Sequence, residues 1–159
     1  MESVPYDKRS GKIWFNGSPV DWNKANIHIL NHGLHYASCV FEGERVYDGE
    51  IFKLEEHTDR LFYSAKRMGM SVPYTQKEIN EACINIVNIQ NVKNGYVRPI
   101  IWRGSEMMAI SAQKNKIHTA VATWEWGSYF DPKLKLKGIK LNISSWRRPS
   151  PNSIPWDTK

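Results

Sequence analysis

Short apolar runs bounded by turn residues open the chain. Ile13, Trp14 and Phe15 precede Asn16-Gly17, and Pro19, Val20, Asp21 and Trp22 follow. Asn-Gly accepts the positive φ angles of a tight type I′ turn, so this stretch predicts a hairpin. Ser38 to Tyr47 carries Val40, Phe41, Val46 and Tyr47 and predicts a strand, with Gly43 marking a bulge or a close approach by another group. Asp48-Gly49 is a second turn signal, returning the chain into Ile51, Phe52, Lys53 and Leu54.

The period then lengthens. From Glu55 to Met68, Leu54, Leu61, Phe62, Ala65 and Met68 fall near one helical face, and Gly69 suits the end of that helix. A second helix opens at Thr75-Gln76-Lys77-Glu78, a capping box in which Thr75 and Glu78 satisfy two orphan N–H groups reciprocally. Its stripe is Ile79, Cys83, Ile86 and Gln90, broadened by Ala82, Val87 and Ile89 to a width that suits packing on a sheet. Tyr96 to Arg103 and His118 to Trp124 read as two more strands, joined by a long connection from Gly104 to Lys116. Past Pro132, Gly138 to Ile143 looks like a further strand. The pattern predicts an α+β domain over residues 1–130. Residues 131–159 then form a linker and the first piece of something too small to bury its own core.

Composition narrows this picture. At 159 residues with 41% hydrophobic side chains and seven Trp, the chain holds enough apolar material for one domain. The net charge of +6 is unevenly placed: residues 131–159 carry seven Lys/Arg against Asp131 and Asp157, leaving a near-neutral body. Such a basic end reads as solvated surface, and no nucleic-acid partner is expected. No apolar run approaches the roughly 20 residues of a membrane helix, and the first residues lack the character of a signal peptide. Cys39 and Cys83 lie far apart and read as reduced thiols, so a cytoplasmic location is expected.

Several residues carry chemical potential. Tyr36, Phe41, Tyr96 and Tyr129 sit near strand ends or loops, and Arg45, Arg60 and Arg98 sit beside apolar segments. A buried arginine needs an anionic partner, and each of these taken singly reads more often as a structural contact than as a ligand contact. His28, His32 and His35 have spacings that would share a helical face, but Gly33 argues against a helix there. No metal site is expected.

Taken together these stretches resemble a known family. Asn31-His32-Gly33-Leu34-His35-Tyr36-Ala37-Ser38-Cys39-Val40-Phe41-Glu42-Gly43-Glu44-Arg45 resembles the block after the first hairpin of branched-chain amino-acid aminotransferases, which are fold-type IV pyridoxal-phosphate enzymes. Glu56-His57-Thr58-Asp59-Arg60-Leu61 resembles the family helix supplying a phosphate-binding arginine, and Tyr96-Val97-Arg98-Pro99 the substrate-binding strand. Trp124-Glu125-Trp126-Gly127-Ser128-Tyr129 resembles the motif ending the small domain. Ser144-Ser145-Trp146-Arg147-Arg148 and Pro151-Asn152-Ser153-Ile154-Pro155 resemble the approach to the catalytic lysine, at whose place Lys159 falls.

The resemblance implies a mainly antiparallel sheet packed with two helices. It implies pyridoxal phosphate as cofactor, bound covalently by Lys159 and at its phosphate by Arg60. It implies substrate contacts from Tyr36, Phe41, Gly43, Arg45, Tyr96, Arg98 and Tyr129, with Arg98 and a tyrosine hydroxyl accepting the carboxylate of the glutamate half-reaction. Leu, Ile and Val are the implied substrates, favoured over D-alanine or 4-amino-4-deoxychorismate by the Tyr-x-Arg-Pro and Trp-Gly-x-Tyr motifs. Family members continue past the lysine into a large domain, so Lys159 is expected to be mobile and exposed, and cofactor binding by this chain alone unproductive. Three readings stand: a truncated chain inactive alone, one part of a split enzyme with a separate large-domain polypeptide, or a non-catalytic assembly module. A homodimer or larger homo-oligomer is expected, formed through an apolar patch around Phe41, Tyr96 and Tyr129.

Overall fold

The computed structural model describes residues 4–127 and 132–159. Strands β1 (Lys12–Phe15) and β2 (Ser18–Asp21) form the predicted hairpin, with positive φ at both Asn16 and Gly17. A short helix α1 (His32–Tyr36) follows, where Gly33 had argued against one. The Asn31 side chain accepts the Gly33 N–H and caps it, and left-handed Ala37 ends it after five residues.

The predicted strand from Ser38 to Tyr47 is two strands, β3 (Cys39–Phe41) and β4 (Glu44–Tyr47), on one continuous register against β6 (Gly95–Arg103). No residue is inserted, so Gly43 is not a bulge. The interruption has a chemical cause in the partner strand. Glu42 donates its N–H to the Pro99 carbonyl at 2.9 Å, and proline has no N–H to return. Gly43 serves the second purpose expected of it: a Cβ there would collide with the Tyr96 hydroxyl.

Asp48-Gly49 turns β4 into the two-residue β5 (Glu50–Ile51), after which Leu54 already begins helix α2 (Leu54–Arg67). Gly69, at φ +65, closes α2, and the Arg103 guanidinium donates to the Met68 and Gly69 carbonyls beyond it. Helix α3 (Gln76–Ile89) starts with the capping box in full: Thr75 Oγ1 accepts the Glu78 N–H and Glu78 accepts the Thr75 N–H at 2.7 Å. Strand β7 (Ile117–Glu125) completes the sheet, whose order is β2-β1-β7-β6-β4-β5 with β3 also on β6, all pairs antiparallel.

Helices α2 and α3 cover one face. Leu61, Ala65, Ile79, Cys83 and Ile86 pack there against Trp14, Val40, Val46, Val97, Ile101 and Val121. Ile89, counted in the α3 stripe, is instead exposed, while Gln90 reaches in to bond the Lys12 N–H and the Thr123 carbonyl. The predicted strand from Gly138 to Ile143 is not formed, and Leu141 and Ile143 are exposed. It has no strand partner among the described residues, and an unpaired strand has nothing to satisfy its backbone. A four-residue helix α4 (Pro132–Lys135) precedes it. No helix among the described residues is long and apolar enough to cross a membrane.

Candidate functional site

Alternation along β3 and β4 divides their side chains between the two faces of the sheet. Val40, Glu42, Glu44 and Val46 point toward the helices and are buried, whereas Phe41, Gly43 and Arg45 share the open face with Tyr96 and Arg98 of β6. On that open face the Arg98 guanidinium lies 4.2 Å from the centre of the Phe41 ring and donates to the Tyr96 hydroxyl at 3.1 Å. The Tyr96 ring packs on Trp124 and Trp126. Arg98 Nε is buried with no hydrogen-bond partner among the described residues. A guanidinium with a spare buried donor beside a phenol is equipped to take a carboxylate.

The helix-side glutamate organises a second cluster. Glu42 is fully buried and receives Arg60 through two bonds, Nε to Oε1 at 2.5 Å and Nη2 to Oε2 at 2.7 Å. His57 Nδ1 meets Oε2 at 2.9 Å, which places its proton on that nitrogen, and Lys159 Nζ reaches the same oxygen at 3.2 Å. Burial pushes the Glu42 carboxyl up, but the hydrogen bonds from Arg60, His57 and Lys159 outweigh it and hold it at about 2. Two residues on, Glu44 is equally buried, and neither of its oxygens has a partner among the described residues. Burial and the neighbouring Glu42 charge push it up to about 8, against the pull of Lys159. The Cys83 thiol beyond it is raised by burial and by Glu44.

Lys159 sits at the free edge of β3, between the two clusters. Its carbonyl accepts the Phe41 N–H at 2.9 Å, its N–H donates to Ser64 Oγ at 3.2 Å, and its Nζ lies 5.8 Å from the Phe41 ring centre. The sheet edge and α2 thus supply partners for its backbone and side chain. The side chain nonetheless stays 40% exposed, and that of Arg60 49%. A guanidinium has five N–H donors and Glu42 takes two, so Arg60 keeps donors for a phosphate while Lys159 offers an amine nearby. This donor set fits pyridoxal phosphate.

The structure thus brings together Arg60 and Lys159, and separately Phe41, Gly43, Tyr96 and Arg98. Arg45 is on the open face but lies over the Tyr47 ring, at 5.4 Å. Tyr36 is drawn elsewhere: it stacks on His32 and donates to the Met108 carbonyl at 3.2 Å. Tyr129 lies outside the described residues. Phe41 and Tyr96, from the expected apolar patch, are each half-buried, Phe41 beneath the Arg98 guanidinium and Tyr96 against Trp124 and Trp126; Ile29, Leu34 and Ile110 are among the exposed apolar side chains. The three histidines bond separately: His32 to Ser38 Oγ and the Ala109 carbonyl, His35 to the Ile29 carbonyl, and His28 to the Leu30 N–H. Sequence reasoning assigned no role to Glu42 or His57. The available signal was a carboxylate at a helix-facing position of a strand, where only a partnered charge is affordable.

Comparison with known proteins gives a consistent answer. Residues 39–159 match the family described as Amino-transferase class IV. A branched-chain-amino-acid aminotransferase of Pseudomonas aeruginosa is 44% identical over 88% of this chain and 47% of its own length. A probable branched-chain-amino-acid aminotransferase of Rickettsia conorii is 42% identical over 100% of this chain and 53% of its own. Among solved structures, a branched-chain amino acid aminotransferase with pyridoxamine 5′-phosphate superposes with a TM-score of 0.87 at 36% identity, over 92% of this chain and 50% of that one. The branched-chain amino acid aminotransferase of Escherichia coli superposes with a TM-score of 0.82 at 34% identity, over 92% of this chain and 48% of that one. The chain spans about half the length of the curated relatives it matches, and that half is the N-terminal one.

Proposed function

The chain belongs to the class IV aminotransferases, and on that premise we propose that it carries the small-domain half of a branched-chain amino-acid aminotransferase active site. The whole enzyme exchanges an amino group between Leu, Ile or Val and 2-oxoglutarate with pyridoxal phosphate as cofactor. The observation that carries this reading is the convergence of Arg60 and Lys159 on the single carboxylate of Glu42. A phosphate-binding guanidinium and an attachment amine are held side by side by one buried counter-ion.

The cofactor, when bound, supplies an electron sink for the substrate α-carbon. Arg60 would hold its phosphate and the Lys159 amine would hold the cofactor at rest; once freed as a neutral amine, Lys159 would move the substrate α-proton at Nζ. Phe41 and Tyr96 wall the apolar side-chain pocket, and Gly43 lets the Tyr96 hydroxyl come close to the backbone there. Arg98, with the Tyr96 hydroxyl, accepts the substrate carboxylate, and Arg45 extends the same cationic surface. The half of the relatives' length not matched here supplies the carboxylate facing the pyridine nitrogen and the rest of the phosphate cradle. That half is provided in the same polypeptide or as a separate chain, and residues 1–159 do not turn over without it. The body over 1–130 is the folding unit, and residues 131–159 lead into the cofactor domain. The assembly is a cytoplasmic homodimer or larger homo-oligomer, with exposed Ile29, Leu34 and Ile110 available for burial between copies.

The test is reconstitution. The 159-residue chain mixed with a polypeptide corresponding to the unmatched half of a relative should convert leucine and 2-oxoglutarate to glutamate in the presence of pyridoxal phosphate. Lys159→Ala should abolish this turnover. A folded mixture that binds the cofactor elsewhere, or turns over unchanged with Lys159→Ala, overturns the reading.

A further inference from the structure

Helix α2 presents more than Arg60 to the segment bearing Lys159. Arg60, Tyr63, Ser64 and Arg67 recur at spacings of three, four and seven, which places them along one helical face. The last residues of the chain lie against that face. Tyr63 Oη donates to Asp157 Oδ2 at 2.5 Å, and Arg67 Nη2 donates to Asp157 Oδ1 at 3.4 Å. Two residues later, buried Ser64 accepts the Lys159 N–H. A tight turn connects these points, with the Thr158 N–H and Oγ1 both donating to the Pro155 carbonyl. Asp157 therefore faces the C-terminal end of α2, while Lys159 is set back along the helix toward Glu42.

The electrostatics agree with this geometry. Hydrogen bonding to Tyr63 holds the Asp157 carboxyl below its ordinary range, and the same bond pushes the Tyr63 phenol up. The contact joins residues 94 positions apart in sequence, so it selects one placement of the segment. Without it, Lys159 would be held by Ser64, Glu42 and the β3 edge alone, and the segment could slide along α2.

We propose that Asp157, held by Tyr63 and Arg67, is the positioning residue that seats Lys159 on α2 beside Arg60 and Glu42. The inference rests on the reading of Lys159 as the cofactor-attachment lysine, and it adds that this half of the site fixes the lysine before the other half arrives. Helix α2 then carries the phosphate ligand and the seat of the lysine on one rigid element, which fixes the spacing between them.

The experiment uses the 159-residue chain without cofactor. Amide hydrogen exchange read by NMR should show protection at Phe41 and Lys159, whose groups bond each other or α2. Asp157→Ala should lower both protections about tenfold, the scale of one charge-assisted hydrogen bond. Tyr63→Phe, a milder change, should lower them less, and Asp157→Glu should restore part of the loss. Protection at Val97 and Val121, in the sheet centre, should not move. Unchanged protection at Phe41 and Lys159 in both Asp157→Ala and Tyr63→Phe overturns the seat, whatever the cofactor does. A second arm mixes each protein with the polypeptide corresponding to the unmatched half of a relative, treats the mixture with pyridoxal phosphate and borohydride, and maps the modified lysines. Selective labelling of Lys159 that falls in Asp157→Ala supports the seat as a functional device. Loss of protection without selective labelling in any protein leaves the seat standing and overturns the reading of Lys159.

Discussion

Glu42 and Glu44 are two residues apart on the same buried face, yet their surroundings could hardly differ more. At Glu42 the sheet edge meets α2, which supplies His57 and Arg60, and Lys159 arrives from the far end of the chain. At Glu44 the same face meets Cys83 of α3 and apolar side chains, and neither carboxyl oxygen finds a hydrogen-bond partner among the described residues. One carboxyl is held ionised at about 2, and the other is kept protonated up to about 8. Burial is common to both, so burial does not decide the charge state. The donors on the covering element do.

That contrast can be tested from either side. The largest effect is expected at Glu44. Its folded-state value lies above the ordinary 4.5, so the folded protein retains a proton that the unfolded chain releases, and stability falls as pH rises from about 4.5 to 8. The accumulated loss by pH 8 is on the order of 4 kcal/mol. Glu44→Leu should recover most of it, so denaturant unfolding should give nearly equal stability at pH 5 and pH 8. A variant that keeps the wild-type pH slope would show that Glu44 finds a partner. Glu42 has the opposite sign. Its depressed value gives stability that is present above about 4.5 and disappears as pH falls toward 2, worth about 3 kcal/mol. Glu42→Gln should cost about that much at pH 7 and little at pH 2, as measured by the same unfolding titrations.

Smaller changes sharpen the boundary between the two. Gly43→Ala drives a methyl into the Tyr96 hydroxyl and should cost about 2 kcal/mol, with a change in Tyr96 ring chemical shifts. Thr75→Ala removes the α3 cap far from either glutamate. It should cost about 1 kcal/mol and leave the pH dependence of stability untouched.

Much of the fold was legible because local chemistry decided it. Asn16-Gly17 and Asp48-Gly49 adopt the positive φ pairs their residue types favour, and Thr75 with Glu78 forms the cap that their spacing announces. Errors arose where a distant residue decided the outcome. The break between β3 and β4 is caused by Pro99, more than fifty residues away, and the seat of Lys159 by Tyr63 and Ser64. Gly138 to Ile143 has strand-like composition but no strand to pair with among the described residues. The site divides in the same way. Motif resemblance picked out Arg60, Arg98 and Lys159, while Glu42, the group on which two of them converge, had no local signal beyond a charge out of place.

The sheet order also sets a schedule for biosynthesis. β1 pairs with β7, joining Trp14 to Val121, so the first hairpin made is stitched into the sheet by the last strand. At translation speeds of about 5–20 residues per second, roughly 5–20 s separate the emergence of those two residues. Throughout that interval the N–H and C=O groups on the β7-facing edge of β1 lack their partners, while β2 pairs the other edge. A nascent chain with such a delay is a natural client for factors that shield exposed strands at the ribosome. Shifting the hairpin to follow β7 by circular permutation would remove the wait without altering a single native contact between the strands.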